Sequence, residues 1–188
     1  VPLNQMQSLS KMTVGLVGFG RIGRAVAKRL IGFGSKIMVA DPVISEKVIH
    51  QAGCEPVHID NLLSKSDVIS LHCPSTEETR WMINESSISK MKMGAILINV
   101  GRGDLVDPDA LSSALNKGQI SATGLDVFSP EPIPVDHPIL KMENVILGSH
   151  IASASEHASI TLRETAARTI LKSINKESLP NIVNGVFK

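Results

Sequence analysis

The chain has 188 residues, 43% of them hydrophobic, which is enough to build the core of one globular domain. Its 19 basic and 18 acidic residues give a formal net charge of +1, and no apolar run is long enough to cross a bilayer, so we expect a small-molecule partner rather than a nucleic acid or a membrane. Cys54 and Cys73 lack CxxC spacing, which predicts free thiols, a cytoplasmic location and no metal site.

Six short runs rich in valine and isoleucine predict the strands of a parallel sheet. They are nearly continuous in hydrophobicity rather than alternating, which is typical of strands buried on both faces. The runs span residues 13–18, 36–40, 67–72, 95–100, 121–128 and 144–148.

Helical patterns lie between and after these runs. One helix is predicted to begin near Ile22 and to stop before Gly32 and Gly34, and another spans residues 107–117, with Pro108 as an early residue and Gly118 as the terminator. A long helix over about residues 155–175 closes the chain. The alternation of strands and helices predicts an α/β fold with a doubly wound parallel sheet, that is, a Rossmann fold.

A GxGxxG pattern follows the first predicted strand and opens the first predicted helix. Gly18, Gly20 and Gly23 fill its glycine positions, with Arg21 and Ile22 between them. The pattern alone is weak, but this strand and helix context predicts that the backbone of these residues binds the diphosphate of a dinucleotide.

An acidic residue, Asp41, directly follows the second predicted strand. It lies 23 residues after Gly18, close to the separation expected of the acid that bonds the adenosine ribose hydroxyls. A carboxylate here repels a 2′-phosphate, and no arginine follows in ADPVIS, so the sequence favours NAD over NADP as the cofactor. The alternative role for Asp41 is that of a strand-end turn residue before Pro42.

The second half contains residues that cofactor binding alone does not require. They are Arg102 in INVGRGDLVD, Asp126 and Glu131 in LDVFSPEP, and His150 in GSHIASAS. Together with ISLHCPSTEETRWMIN at 69–84, these segments resemble the D-isomer-specific 2-hydroxyacid dehydrogenase family. The resemblance runs from Leu9 to Asn184. It implies an NAD-dependent oxidoreductase that interconverts a small D-2-hydroxy acid and a 2-keto acid, of the phosphoglycerate, glycerate or hydroxypyruvate, or glyoxylate type.

The resemblance also implies roles for individual residues. His150 is the general acid, Glu131 its charge partner, and Arg102 the cation that holds the substrate carboxylate. Asp126 is expected to accept a hydrogen bond from the nicotinamide carboxamide. Further cofactor contacts are expected at Pro42, His72, Cys73, Pro74, Thr79, Val100, Gly101, Arg102, His150, Ala152 and Ser153. The family commonly has proline and glycine where Ser149 and Ala152 stand here.

The resemblance divides the chain into three parts. Residues 1–12 are expected to be a linker, residues 13–153 the NAD-binding Rossmann domain, and residues 154–188 a helix and tail that return toward a substrate-binding domain. We expect most of that substrate domain to be missing from this chain, and the protein to act as a homodimer.

Two other functions remain to be weighed. The stretch at 158–184 is similar to the C-terminal binding protein branch, which favours an NAD-sensing corepressor as the alternative, although those proteins have a tryptophan after the catalytic histidine and HIASAS does not. Formate dehydrogenase is disfavoured because it has a glutamine where Glu131 stands.

Overall fold

The computed structural model describes residues 7–180 and 182. Residues 1–6 of the predicted linker lie outside the described residues, as do residues 181 and 183–188 of the predicted tail, including the end of the family resemblance at Asn184. The chain forms two units that divide between His150 and Ile151.

A parallel sheet of seven strands forms the centre of the first unit. The strands are β1 (Thr13–Val17), β2 (Lys36–Ala40), β3 (Glu55–Pro56), β4 (Val68–Leu71), β5 (Ala95–Asn99), β6 (Ile120–Leu125) and β7 (Val145–Leu147). Their order in the sheet is β3-β2-β1-β4-β5-β6-β7, so the chain builds outward from β1 in one direction and then from β4 in the other. This is the doubly wound arrangement, and it confirms the predicted fold class.

Five helices connect the strands of the first unit. They are α1 (Arg21–Gly32), α2 (Glu46–Gln51), α3 (Ile59–Lys65), α4 (Glu85–Ser89) and α5 (Pro108–Lys117). At the start of α5, the Asp107 side chain accepts hydrogen bonds from the backbone N–H groups of Asp109 and Ala110, and Gly118 ends the helix with a φ of +74°. Both ends of this helix agree with the sequence prediction.

Two hydrophobic clusters hold these elements together. The smaller cluster joins β1, β2 and α1 through residues such as Leu16, Phe19 and Ala27, all at most 1% exposed. The larger cluster surrounds β4, β5 and β6 and includes Ile69, Leu97 and other fully buried side chains. Four consecutive residues of β1 and four of β2 are buried, which confirms that these strands are covered on both faces.

The carboxyl ends of the strands lie at one edge of this sheet. In a doubly wound sheet, ligands bind outside that edge, at the point where the chain reverses its direction of winding. Here that point lies between β1 and β4, which are neighbours in the sheet. The segments that follow β1, β2, β4, β5, β6 and β7 contain most of the predicted site residues.

The second unit is built around α6 (Glu156–Ile174), which agrees with the predicted long helix. The Ser155 side chain caps the helix by accepting a hydrogen bond from the backbone N–H of Ala158 at 3.0 Å. None of the helices within the described residues combines the length and the apolar character that a bilayer crossing requires.

Candidate active site

Three glycines shape the turn that joins β1 to α1. Gly18 has a φ of +94° and donates its N–H to the carbonyl oxygen of Ala40 at 2.9 Å. A Cβ on Gly18 would lie 2.6 Å from the backbone nitrogen of Cys73, and a Cβ on Gly23 would overlap the carbonyl oxygen of Gly18. A Cβ on Gly20 would meet nothing within 4 Å. The turn is therefore tightly packed at two glycines and open at the third, which leaves room for a ligand to approach the backbone at Gly20.

The open glycine begins α1. Gly20 is the N-cap of this helix, and the exposed residues Arg21 and Ile22 follow it. The N–H groups of a first helical turn have no acceptor within the helix, and the positive end of the helix dipole lies beside them. The turn and the helix start therefore fit the diphosphate of a dinucleotide.

Asp41 connects the glycine-rich turn to the end of β2. One carboxylate oxygen accepts a hydrogen bond from the N–H of Phe19 at 2.6 Å, and the other accepts from Val43 and Ile44 at 2.8 and 2.9 Å. Partial burial raises the pKa of the Asp41 carboxyl, but these hydrogen bonds and the positive charge of Arg24 outweigh it, so the net pKa lies below its usual value. Asp41 therefore carries a negative charge at neutral pH beside the turn.

The segment after β4 packs against the same turn. The His72 Nε2 atom lies 3.0 Å from Ser70 Oγ, and burial lowers the pKa of this imidazole. Burial raises the pKa of the Cys73 thiol, so both side chains are neutral at physiological pH. Thr79 donates its hydroxyl to the carbonyl oxygen of Pro74 at 2.9 Å, which closes the loop. His72 and Cys73 therefore pack against the glycine-rich turn, and Pro74 and Thr79 hold the loop that follows.

The segment after β5 is organised by Asn99, which the sequence analysis does not single out. This residue is 1% exposed, and its amide donates to the carbonyl oxygen of Arg102 at 2.8 Å while its amide oxygen accepts from the N–H of Gly101 at 3.0 Å. The exposed Arg102 guanidinium donates to the carbonyl oxygen of Gly101 at 2.8 Å. Val100, before Gly101, is half-buried. Asn99 thus fixes the backbone from which Arg102 extends.

His150 and Glu131 form a pair beyond the ends of β6 and β7. The His150 Nδ1 atom lies 3.0 Å from Glu131 Oε1, and both side chains are about half exposed. His150 has a φ of +61°, a left-handed conformation that is uncommon outside glycine and is found at functional sites. Its N–H donates to the carbonyl oxygen of Asp126 at 2.8 Å. The backbone and the ring of His150 are therefore each held by a residue that the sequence predicts for the site.

A cleft of 430 Å³ lies beside this pair. Its polar side chains include Asp126, Glu131 and Ser149, and apolar residues such as Phe128 and Ile133 line the rest. A Cβ on Gly148 would overlap the Asp126 carboxylate, so a side chain at this position would displace that carboxylate. An apolar cleft with a few polar groups is typical of small-molecule sites.

The remaining predicted cofactor contacts, Ala152 and Ser153, lie in the second unit, in the turn before α6. Their role stays a prediction. Pro42 is exposed and directly follows Asp41. Within residues 7–180 and 182, no group of three His, Cys, Asp or Glu side chains is arranged to hold a metal ion.

A doubly wound sheet, a glycine-rich turn before α1 and an acid directly after β2 define a dinucleotide-binding domain, and the paired histidine and glutamate are suited to proton transfer. Residues 2–152 match the family model described as D-isomer specific 2-hydroxyacid dehydrogenase, NAD binding domain. The chain belongs to this family, as the sequence resemblance predicts, and NAD is the cofactor of the matched domain.

Similar proteins of known name support this assignment. The chain is 47% identical over 172 residues to a glyoxylate reductase of Korarchaeum cryptofilum, covering 92% of this chain and 52% of the relative. It is 37% identical over 172 residues to D-3-phosphoglycerate dehydrogenase of Mycobacterium tuberculosis, covering 92% and 32%.

The structure is also similar to a D-lactate dehydrogenase from Lactobacillus jensenii solved with NAD+, with a TM-score of 0.90 and 32% identity, covering 98% of this chain and 59% of that one. The chain thus spans about half the length of the glyoxylate reductase that it matches.

Proposed function

We propose that this chain is the cofactor-binding part of an NAD-dependent oxidoreductase that interconverts a D-2-hydroxy acid and a 2-keto acid. The observation that carries the proposal is the contact of 3.0 Å between His150 Nδ1 and Glu131 Oε1 beside an open cleft. The names of the relatives support glyoxylate, hydroxypyruvate and phosphohydroxypyruvate as the substrates to test.

The residues of the chain suit the tasks of such a reaction. When bound, NAD accepts or supplies the hydride. His150 exchanges the proton of the substrate oxygen, and because Nδ1 is held by Glu131, Nε2 is the nitrogen available for this exchange. Glu131 orients the ring and opposes the positive charge that it acquires.

Two further residues would hold the reactants. The Arg102 guanidinium is exposed at the end of β5, and its planar fork matches a carboxylate, so it would bind the acid group of the substrate. The Asp126 carboxylate lines the cleft beside Glu131 and would hold the nicotinamide carboxamide. Both roles orient reactants for transfer rather than taking part in bond making.

The substrate class can be tested with a chimera in which this chain replaces the 172 matched residues of the Korarchaeum cryptofilum reductase. We expect this chimera to oxidise NADH with at least one of glyoxylate, hydroxypyruvate and phosphohydroxypyruvate, because the relative supplies the remaining length. The measurement is the loss of NADH absorbance. A folded chimera that binds NADH but turns over none of these acids would contradict the proposed substrate class.

The cofactor preference can be tested on the chain itself. We expect NADH to bind more tightly than NADPH by about tenfold or more, because the Asp41 carboxylate repels a 2′-phosphate. The measurement is a titration of NADH and NADPH fluorescence. As a control, Asp60→Asn removes a different exposed carboxylate, one that pairs with Lys90, and it should leave the preference for NADH unchanged. Equal or tighter binding of NADPH to the unchanged chain would refute the assignment of Asp41.

The corepressor alternative receives no support from the relatives described above, which are named as reductases and dehydrogenases. We retain a cytoplasmic location and a homodimer as part of the proposal. The free thiols of Cys54 and Cys73 are consistent with a reducing compartment.

A further inference from the structure

An arginine on the first turn of α1 lies beside the adenosine end of the proposed NAD site. Arg24 donates its Nε–H to the carbonyl oxygen of Phe19 at 3.0 Å. The N–H of the same Phe19 donates to the Asp41 carboxylate at 2.6 Å. Phe19 therefore contacts the Arg24 cation through its carbonyl oxygen and the Asp41 anion through its N–H.

The position of Arg24 is well defined although its side chain is exposed. Its guanidinium lies 5.6 Å from the centre of the Phe19 ring, which is completely buried in the cluster between β1, β2 and α1. The hydrogen bond through Nε and the contact with this immobile ring together restrict the rotamers of Arg24. The two terminal nitrogens of the guanidinium project from this anchored Nε, and together they offer a planar fork of donors.

The positive charge of Arg24 acts on the Asp41 carboxylate, which the 2′ position of the ribose would meet. It is one of the influences that lower the pKa of the Asp41 carboxyl, although Arg24 forms no direct ion pair with any carboxylate among the described residues. The guanidinium is thus near Asp41 without being neutralised by a contact with it. A cation of this kind is suited to bind a phosphate group, and arginine does so with two hydrogen bonds.

We propose that Arg24 is a second determinant of cofactor specificity, a cation positioned by Phe19 that binds the 2′-phosphate of NADP when the Asp41 carboxylate is removed. This inference rests on the proposed function, because it assumes that Asp41 lies at the adenosine ribose of NAD. In the unchanged protein the repulsion between the Asp41 carboxylate and a 2′-phosphate hides the attraction of Arg24.

The proposal predicts that the two residues are coupled in their effect on NADPH binding. Asp41→Asn removes the negative charge with little change of shape, and we expect it to tighten NADPH binding relative to NADH by about tenfold or more. Adding Arg24→Gln to this variant should abolish most of that gain while changing the Kd for NADH by less than about twofold. The Kd values come from fluorescence titrations of the 188-residue chain with both nucleotides.

A matched control and a second variant separate a charge effect from a folding effect. Arg29→Gln removes an exposed arginine from the same helix, where its guanidinium only caps the carbonyl oxygen of Ala25, and it should leave the gain from Asp41→Asn intact. Asp41→Ser also removes the charge. It should give the same coupling even if asparagine disturbs the hydrogen bonds that the Asp41 carboxylate accepts from backbone N–H groups. Melting temperatures of all variants identify any that are unfolded.

Four outcomes of these experiments can be distinguished. Loss of the NADPH gain with Arg24→Gln but not with Arg29→Gln supports the proposal. Equal weakening of NADH and NADPH by Arg24→Gln would show that Arg24 only supports the backbone of Phe19, and a gain that survives Arg24→Gln would show that the arginine does not bind the phosphate; either result overturns the inference. Failure of the unchanged chain to bind NADH at all would instead refute the proposed function.

Discussion

Replacing His150 with alanine is expected to lower the kcat of the chimera with its best 2-keto acid by about 10²-fold or more. The carbonyl oxygen of the substrate gains negative charge as hydride arrives, and the His150 imidazole, held by Glu131 at 3.0 Å beside the cleft, can supply the proton. Because alanine removes the proton donor but leaves the glycine-rich turn intact, the Kd for NADH should change little. The measurements are steady-state kinetics and a fluorescence titration.

The control for this variant is His50→Ala. His50 is an exposed residue of α2, outside every segment assigned to the site, so its removal should leave both kcat and the Kd for NADH unchanged. Near-native turnover of the His150→Ala chimera would refute the role of His150 as proton donor. A large loss of NADH binding in the same variant would show that His150 acts mainly through its expected contact with the cofactor.

The main strands could be predicted because burial on both faces leaves a simple trace in the sequence. Runs of valine and isoleucine predict β1, β2, β4, β5, β6 and β7 to within a few residues, and the largest error is at β6, which ends at Leu125 rather than at residue 128. There the chain leaves the sheet after Asp126, whose N–H still donates to the backbone carbonyl oxygen of Asn99. β3 could not be predicted, since Glu55–Pro56 is two residues long and pairs only at the edge of the sheet.

The shorter helices α2, α3 and α4 are also absent from the sequence prediction. They have five to seven residues, which is too short for a helical period to stand out from a loop. In α4, for example, a capping box formed by Asn84 and Ser87 holds the helix start, and burial of Ile88 anchors it to the core. The stability of α4 therefore comes from a local cap and from tertiary contacts rather than from a helical hydrophobic pattern.

The candidate site divides in a similar way. The glycine-rich turn and Asp41 have a spacing that chemistry explains, and the pairing of His150 with Glu131 follows from the family resemblance. Asn99 and Arg24 were missed because their hydrogen bonds are made with backbone atoms two to five residues away, in turns whose geometry the sequence pattern does not reveal. The asparagine that ends the apolar run AILIN is the one available signal, since a buried amide at a strand end must find partners.

The second large effect concerns the isolated chain, which we expect to bind NADH but to reduce 2-keto acids at least about 10³-fold less efficiently than the chimera, as judged by kcat/KM. Hydride transfer requires that the keto acid be held against the cofactor while water is excluded. In the chain alone, the exposed guanidinium of Arg102 would meet the substrate carboxylate in open solvent. An exposed ion pair contributes only about 0 to 1 kcal/mol, which is too little to hold a substrate in position.

Parallel assays of the two proteins with glyoxylate, hydroxypyruvate and phosphohydroxypyruvate give the comparison. The chimera with His150→Ala sets the background rate, because it has the full cleft without the proton donor. A titration with NADH establishes that the isolated chain is folded and able to bind its cofactor. If the isolated chain then matched the chimera in kcat/KM, Arg102, His150 and the cleft beside Glu131 would be sufficient to hold the substrate, and the argument that a second domain must enclose it would be wrong.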